Sequence, residues 1–133
     1  MGEIDLLAVV LGAAALFGVG MAWYGVLFAG AWTKAMSRGR RDFTGDKPVW
    51  VVFAITFAFA LLIALTLAHQ YAMTSPGPRA MMMIAIGYGL MLIVPALGIR
   101  YLYLGVPGRV FAIDAGYFVV GMAAMGAVFV ALR

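Results

Sequence analysis

Four long stretches of the chain carry almost no charged side chains, and they set its architecture. Residues 6–33, 48–78 and 80–99 contain no charged residue, and residues 110–132 contain only Asp114. A helix needs about 20 apolar residues to cross the hydrocarbon core of a bilayer. Each stretch is long enough for one crossing and too short for two. The pattern predicts helices over residues 6–32, 48–69, 80–100 and 109–131.

The spaces between these stretches contain residues that break helices. Ser75-Pro76-Gly77-Pro78 and Gly105-Val106-Pro107-Gly108 are typical of turns, and Pro95 is expected to kink the third helix. The apolar runs do not alternate with polar residues, as the strands of a membrane β-barrel would. We therefore predict an all-α membrane protein, in which residues 1–133 form one domain of four transmembrane helices. Short connections favour an up-down bundle with sequential helices as neighbours.

The composition agrees with a membrane protein and limits its chemistry. Hydrophobic residues make up 66% of the chain and charged residues 11%, whereas about 25% of a soluble domain is charged. This excludes a soluble enzyme, a nucleic-acid-binding domain and a disordered protein. The chain has no cysteine and one histidine, His69. We expect no metal or cofactor and no enzymatic activity, because no nucleophile is paired with a base.

The basic residues predict the orientation. Seven of the nine fall in the loops between helices 1 and 2 and between helices 3 and 4; cytoplasmic loops collect such residues. Both termini are therefore expected outside the cytoplasm. The first loop either only determines topology or also binds anionic lipid through Arg38, Arg40 and Arg41. The seven are Lys34, Arg38, Arg40, Arg41, Lys47, Arg100 and Arg109, and the aromatic residues beside them, Trp32, Trp50, Tyr101 and Tyr103, are interpreted as an interfacial belt.

Small residues recur along one face of helix 1 and one face of helix 4. Membrane helices associate through close packing at such residues rather than through the hydrophobic effect. We therefore expect helices 1 and 4 to pack tightly against other helices, within the chain or across an interface. The stripes are Ala14, Gly18, Ala22, Gly25 and Ala29 in helix 1, and Ala112, Gly116, Ala123 and Ala127 in helix 4.

Asp114 is the one clear ionisable residue within a span, and such residues are candidates for function. Tyr117 lies one turn deeper in helix 4, and Trp23 and Tyr24 reach a similar depth from helix 1. Two interpretations stand. Asp114 either forms a structural ion pair with a basic residue or carries protons or cations. In the second case Tyr24 and Tyr117 would orient its carboxyl group. The candidate bases are Arg109, Arg100 and Lys34.

Two blocks of sequence resemble a known family. They are Trp23-Tyr24-Gly25-Val26-Leu27-Phe28 with Ala31-Trp32, and Ile113-Asp114-Ala115-Gly116-Tyr117 with Gly126. They resemble the two signatures of a bacterial family of small four-helix membrane proteins of unknown function. Many members have Pro after the Trp-Tyr-Gly, where this chain has Val26. The resemblance implies the four-helix fold and a bacterial inner membrane, and it supplies no reaction, substrate or ligand.

Three functions are compatible with these observations. The first is a structural or accessory subunit that packs with other membrane proteins or with copies of itself. The second is a small oligomeric transporter or channel that uses Asp114. The third, a lipid-modifying enzyme, has the least support because one carboxyl group without a nearby histidine offers little chemistry. The expected partners are the lipid bilayer and membrane proteins, and not nucleic acid.

Overall fold

The computed structural model describes residues 5–27 and 48–132. Almost all of these residues lie in four helical segments. Helix α1 covers Leu6–Ala22 and continues as a π-helical turn, Trp23–Leu27; α2 covers Val49–Thr74, α3 covers Pro78–Leu104 and α4 covers Gly108–Leu132. All four are long and apolar enough to cross a membrane. The described residues contain no strand. The prediction of an all-helical membrane protein is confirmed.

Side-chain and backbone geometry account for the start of α1 and the end of α2. The Asp5 carboxylate accepts hydrogen bonds from the N–H groups of Leu7 and Ala8 at 3.1 and 3.3 Å, which caps α1. Helix α2 runs to Thr74, beyond the predicted end at residue 69, and stops where Ser75 adopts a left-handed conformation. The next residue, Pro76, has no backbone N–H group to donate to a helical carbonyl, so it does not continue the helix. The end of the helix is therefore set by backbone geometry, and not by the loss of apolar residues.

Helix α3 contains an irregular turn near its middle. Residues Gly89–Ile93 form a π-helical turn, in which the N–H of Val94 donates to the carbonyl of Gly89. Pro95 follows directly; it has no N–H to donate to the preceding turn. π-Helix is rare, and a single turn inside an α-helix is the form in which it mostly occurs. The interruption expected at Pro95 is thus present as a π turn immediately before it.

The order of helices across the bundle differs from the predicted order of sequential neighbours. Helix α1 packs against both α2 and α4, and α3 packs against α4, so the order is α2–α1–α4–α3. Helices α2 and α3 are consecutive in the chain but pack little against each other. Near their connecting turn, the Tyr71 hydroxyl donates to the Met81 carbonyl at 2.5 Å. The large contact between the first and last helices takes the place of an α2–α3 contact.

The α1–α4 interface uses a different face of α1 from the one that the small residues suggested. A Cβ atom at Gly12 would lie 3.1 Å from Met125 Cγ, and one at Gly20 would lie 3.1 Å from the Tyr117 ring. Leu16 lies between these glycines on the same face and contacts Gly121. Gly12, Leu16 and Gly20 therefore form the close contact with α4.

The predicted stripe on α1 lies on the exposed side. Gly18, Ala22 and Gly25 are exposed, and a Cβ atom at Gly18 or Gly25 would meet no atom within 4 Å in the described part of the chain. Gly18 and Gly20 are about 200° apart on a helix of 3.6 residues per turn, so they face opposite directions. Ala29 lies outside the described residues. Packing of this stripe against another chain stays a prediction.

Candidate functional site

Asp114 is buried on α4 and holds two other helices by hydrogen bonds. Its side chain is 5% exposed, and it is the one charged residue that is buried among those described. The Tyr24 hydroxyl, next to the end of α1, donates to Oδ1, and the Tyr101 hydroxyl on α3 donates to Oδ2. Buried polar atoms are costly unless they are hydrogen-bonded. Both oxygens of Asp114 therefore have donors, and each donor comes from a different helix.

Trp23 completes this arrangement on the α1 side. Its indole N–H donates to the Ile113 carbonyl at 2.9 Å, and its ring lies against Gly116, where a Cβ atom would come within 2.8 Å of Cζ2. Gly116 is thus required to be small because an indole ring occupies the space beside it. We call the side chains of Trp23, Tyr24, Tyr101 and Asp114 the Asp114 cluster.

Local structure positions both residues of α1. Trp23 and Tyr24 open the π-helical turn that follows Ala22. Their side chains reach neighbouring residues of α4: Trp23 bonds to Ile113 and Tyr24 bonds to Asp114. The Tyr24 ring also contacts the Tyr117 ring, with centroids 5.5 Å apart and planes at 67°. This edge-to-face contact is a favourable geometry for aromatic pairs.

Tyr117 lies beside the cluster without donating to Asp114, which differs from its predicted role. Its hydroxyl donates to the Leu16 carbonyl at 3.2 Å. One helical turn below Asp114, it faces the middle of α1, and the hydroxyl meets an α1 carbonyl there. Tyr117 is therefore part of the α1–α4 interface.

The predicted ion pair does not involve the arginines of the α3–α4 connection. Arg100 and Arg109 are exposed, and no ion pair joins either of them to Asp114 within residues 5–27 and 48–132. Long basic side chains at helix ends extend toward the aqueous interface, where their charge stays hydrated. An ion pair with Lys34 stays a prediction because Lys34 lies outside the described residues, as do Arg38, Arg40 and Arg41.

Tyr101 is a partner of Asp114, whereas its place beside a basic loop predicts a member of the interfacial belt. A usable signal was present in the spacing around the turn. Tyr101 lies four residues before Gly105 and Asp114 lies six residues after Gly108, so the two face each other at similar depth in an antiparallel pair. Tyr103, two residues further, is 85% exposed and fits the belt interpretation. Trp50 is exposed as well, and Trp32 lies outside the described residues.

The predicted packing residues Gly116 and Ala123 lie on α4 in different surroundings, and Gly126 of the second sequence block also packs closely. Gly116 contacts the Trp23 ring rather than a helix backbone, and Ala123 is half-buried on α4. Gly126 makes the closest approach to α3, because a Cβ atom there would lie 2.7 Å from Ala85 Cβ. The described residues contain no group of three or more potential metal ligands among His, Cys, Asp and Glu.

A comparison with protein families shows which family the chain belongs to. A family model described as "Protein of unknown function (DUF1761)" matches residues 7–130. The chain belongs to this family. The match covers all four transmembrane helices and the whole Asp114 cluster. No curated protein and no solved structure matches the chain.

Proposed function

We propose that this DUF1761 protein is a structural or accessory subunit, without enzymatic activity, that packs with copies of itself or with other membrane proteins. The observation that carries the proposal is the bonding of Asp114. Both of its oxygens accept a tyrosine hydroxyl, one next to α1 and one from α3. The one buried charged side chain of the described residues is thus used to join three helices.

The exposed face of α1 supports an assembly role. Gly18, Ala22 and Gly25 are exposed on the side opposite to α4. Small residues at this spacing allow the backbones of two membrane helices to approach closely. Self-association through this face would use the predicted stripe, which residues 5–27 and 48–132 leave uncovered. We further propose a bacterial inner membrane, with the basic loops in the cytoplasm and anionic lipid at Arg38, Arg40 and Arg41.

Co-purification of two differently tagged copies tests the assembly role. When both are expressed in one membrane and extracted in mild detergent, we expect the second tag to follow the first. Gly18→Leu should reduce the recovered fraction several-fold. The matched control is Gly87→Leu on α3, since a Cβ atom at Gly87 also meets nothing within 4 Å of the described chain. Monomeric protein in native membranes, with no protein partner in mild detergent, would contradict the proposal.

A second candidate is a small oligomeric transporter or channel that uses Asp114 for protons or cations. The observation that favours it is the burial of a carboxyl group within a span, where ionisable residues often serve transport. Flux measurements in liposomes separate the two functions. A transporter requires flux through the wild type and its loss in Asp114→Asn, with the fold intact by circular dichroism. A structural subunit gives no proton flux in either protein.

A further inference from the structure

The end of the bundle opposite to the Asp114 cluster contains a cavity. It lies where α1 begins, α2 turns into α3 and α4 ends, and it has a volume of about 370 Å³. Pockets of about 300–1,000 Å³ are typical for small ligands. We propose that this cavity binds an amphiphilic cation, an ammonium group carrying a short alkyl chain.

The walls of the cavity suit an alkyl chain. Ala68 and Ala72 on α2 contribute only methyl groups, which leaves the space open, and Met81 on α3 lines the cavity as well. The rings of Tyr71 and Phe129 lie together, with centroids 5.3 Å apart and planes at 79°. The Tyr71 hydroxyl donates to the Met81 carbonyl. The aromatic side chains thus contribute apolar surface to the cavity, and the burial of alkyl groups against such surface is favourable.

The rim of the cavity carries a negative charge. Asp5 lines it, and its Oδ1 is held by the N–H groups of Leu7 and Ala8. Among the described residues no hydrogen bond uses Oδ2, so this oxygen can receive a positively charged group. Aromatic rings also attract ammonium groups. The carboxylate together with the two rings selects a cation over an anion or a neutral molecule of the same shape.

Methyl NMR of the full chain in a non-ionic detergent tests the proposal. The probes are hexyltrimethylammonium, 1-hexanol and hexanesulfonate, which share one alkyl chain and differ in charge. Methionine methyl groups are labelled with ¹³C, and the Met81 signal is assigned through Met81→Leu. We expect a saturable shift of the Met81 signal with the cation. The Met122 methyl group, buried against Gly89 about two helical turns along α4 from the cavity residue Phe129, should not shift.

Two variants test which features of the cavity determine binding of the cation. Asp5→Asn keeps a helix cap of similar quality and removes the charge, so we expect affinity for the cation to fall by about fivefold, the upper value for an exposed ion pair. Ala72→Leu fills the cavity and should weaken all binding. Equal binding of the three probes, or no effect of Asp5→Asn, would overturn the selection for a cation. The absence of any saturable Met81 shift would overturn the site itself.

Discussion

At the scale of single residues, the chain stabilises one buried carboxyl group with phenol hydroxyls. Moving a charged group out of water costs several kcal/mol unless hydrogen bonds compensate for it. Tyr24 and Tyr101 supply two such bonds from two different helices. Removal of either hydroxyl group therefore measures how much that hydrogen bond stabilises the tertiary structure.

Tyr101→Phe removes one hydroxyl from Asp114 and leaves the aromatic ring in place. A hydrogen bond to a charged group contributes about 1.5–3 kcal/mol, so we expect the free energy of unfolding in detergent to fall by this amount. Tyr103→Phe is the matched control, because Tyr103 is on the same helix and is mostly exposed. Its free energy of unfolding should change by less than about 0.5 kcal/mol. Equal stability of the two variants would show that the bond to Asp114 contributes nothing.

The sequence indicates Asp114 because it is the one charged residue of its span, and Tyr24 because a hydroxyl within a charge-free span needs a hydrogen-bond partner. It does not indicate Tyr101 in the same way, since a tyrosine near a basic loop is also typical of an interfacial belt. The environment decides between these roles, and it depends on the rotation of α3 around its axis. Charge counts and span lengths contain no information about that rotation.

At the scale of helices, sequence patterns predict where spans lie but not which face packs. Long apolar stretches and turn residues predict the four helices. Helices α2 and α3 end later than predicted, where Ser75 and Gly105 adopt left-handed conformations. Small residues occur on more than one face of α1. The close contacts fall on Gly12 and Gly20, whereas Gly18 is exposed. The choice between faces follows from the shapes of Met125, Phe129 and Tyr117 on the partner helix.

Gly126→Ala tests the closest approach between α3 and α4. The added methyl group would lie 2.7 Å from Ala85 Cβ, and neither Cβ atom can move without its helix. We expect a loss of about 1–3 kcal/mol in stability, as for other overpacked sites. Gly87→Ala is the control on α3; it has free space and gains helix propensity, so its stability should rise by about 0.5–1 kcal/mol. Thermal or denaturant unfolding in detergent gives both values, and a stable Gly126→Ala would contradict the close packing.

At the scale of the whole molecule, α1 and α4 form the centre and α2 and α3 lie at the two sides. Hydrogen bonds of the Asp114 cluster connect three helices at one end, and the Tyr71 hydroxyl connects α2 to α3 at the other. The helix order could not be predicted from connection length, because a short turn brings two helix ends together without forcing the helices to pack along their length.

The orientation of this bundle is the remaining property of the whole chain that its charges predict. Seven of nine basic residues lie in the two loops on one side, so we expect those loops in the cytoplasm and both termini outside. Alkaline phosphatase fused after the last residue should be active, and green fluorescent protein inserted within residues 38–41 should fluoresce. Replacement of Arg38, Arg40 and Arg41 by Gln should increase the fraction of inverted molecules, because the difference in basic residues between the two sides becomes smaller. A cytoplasmic signal from the C-terminal fusion of the unaltered chain would contradict the predicted orientation.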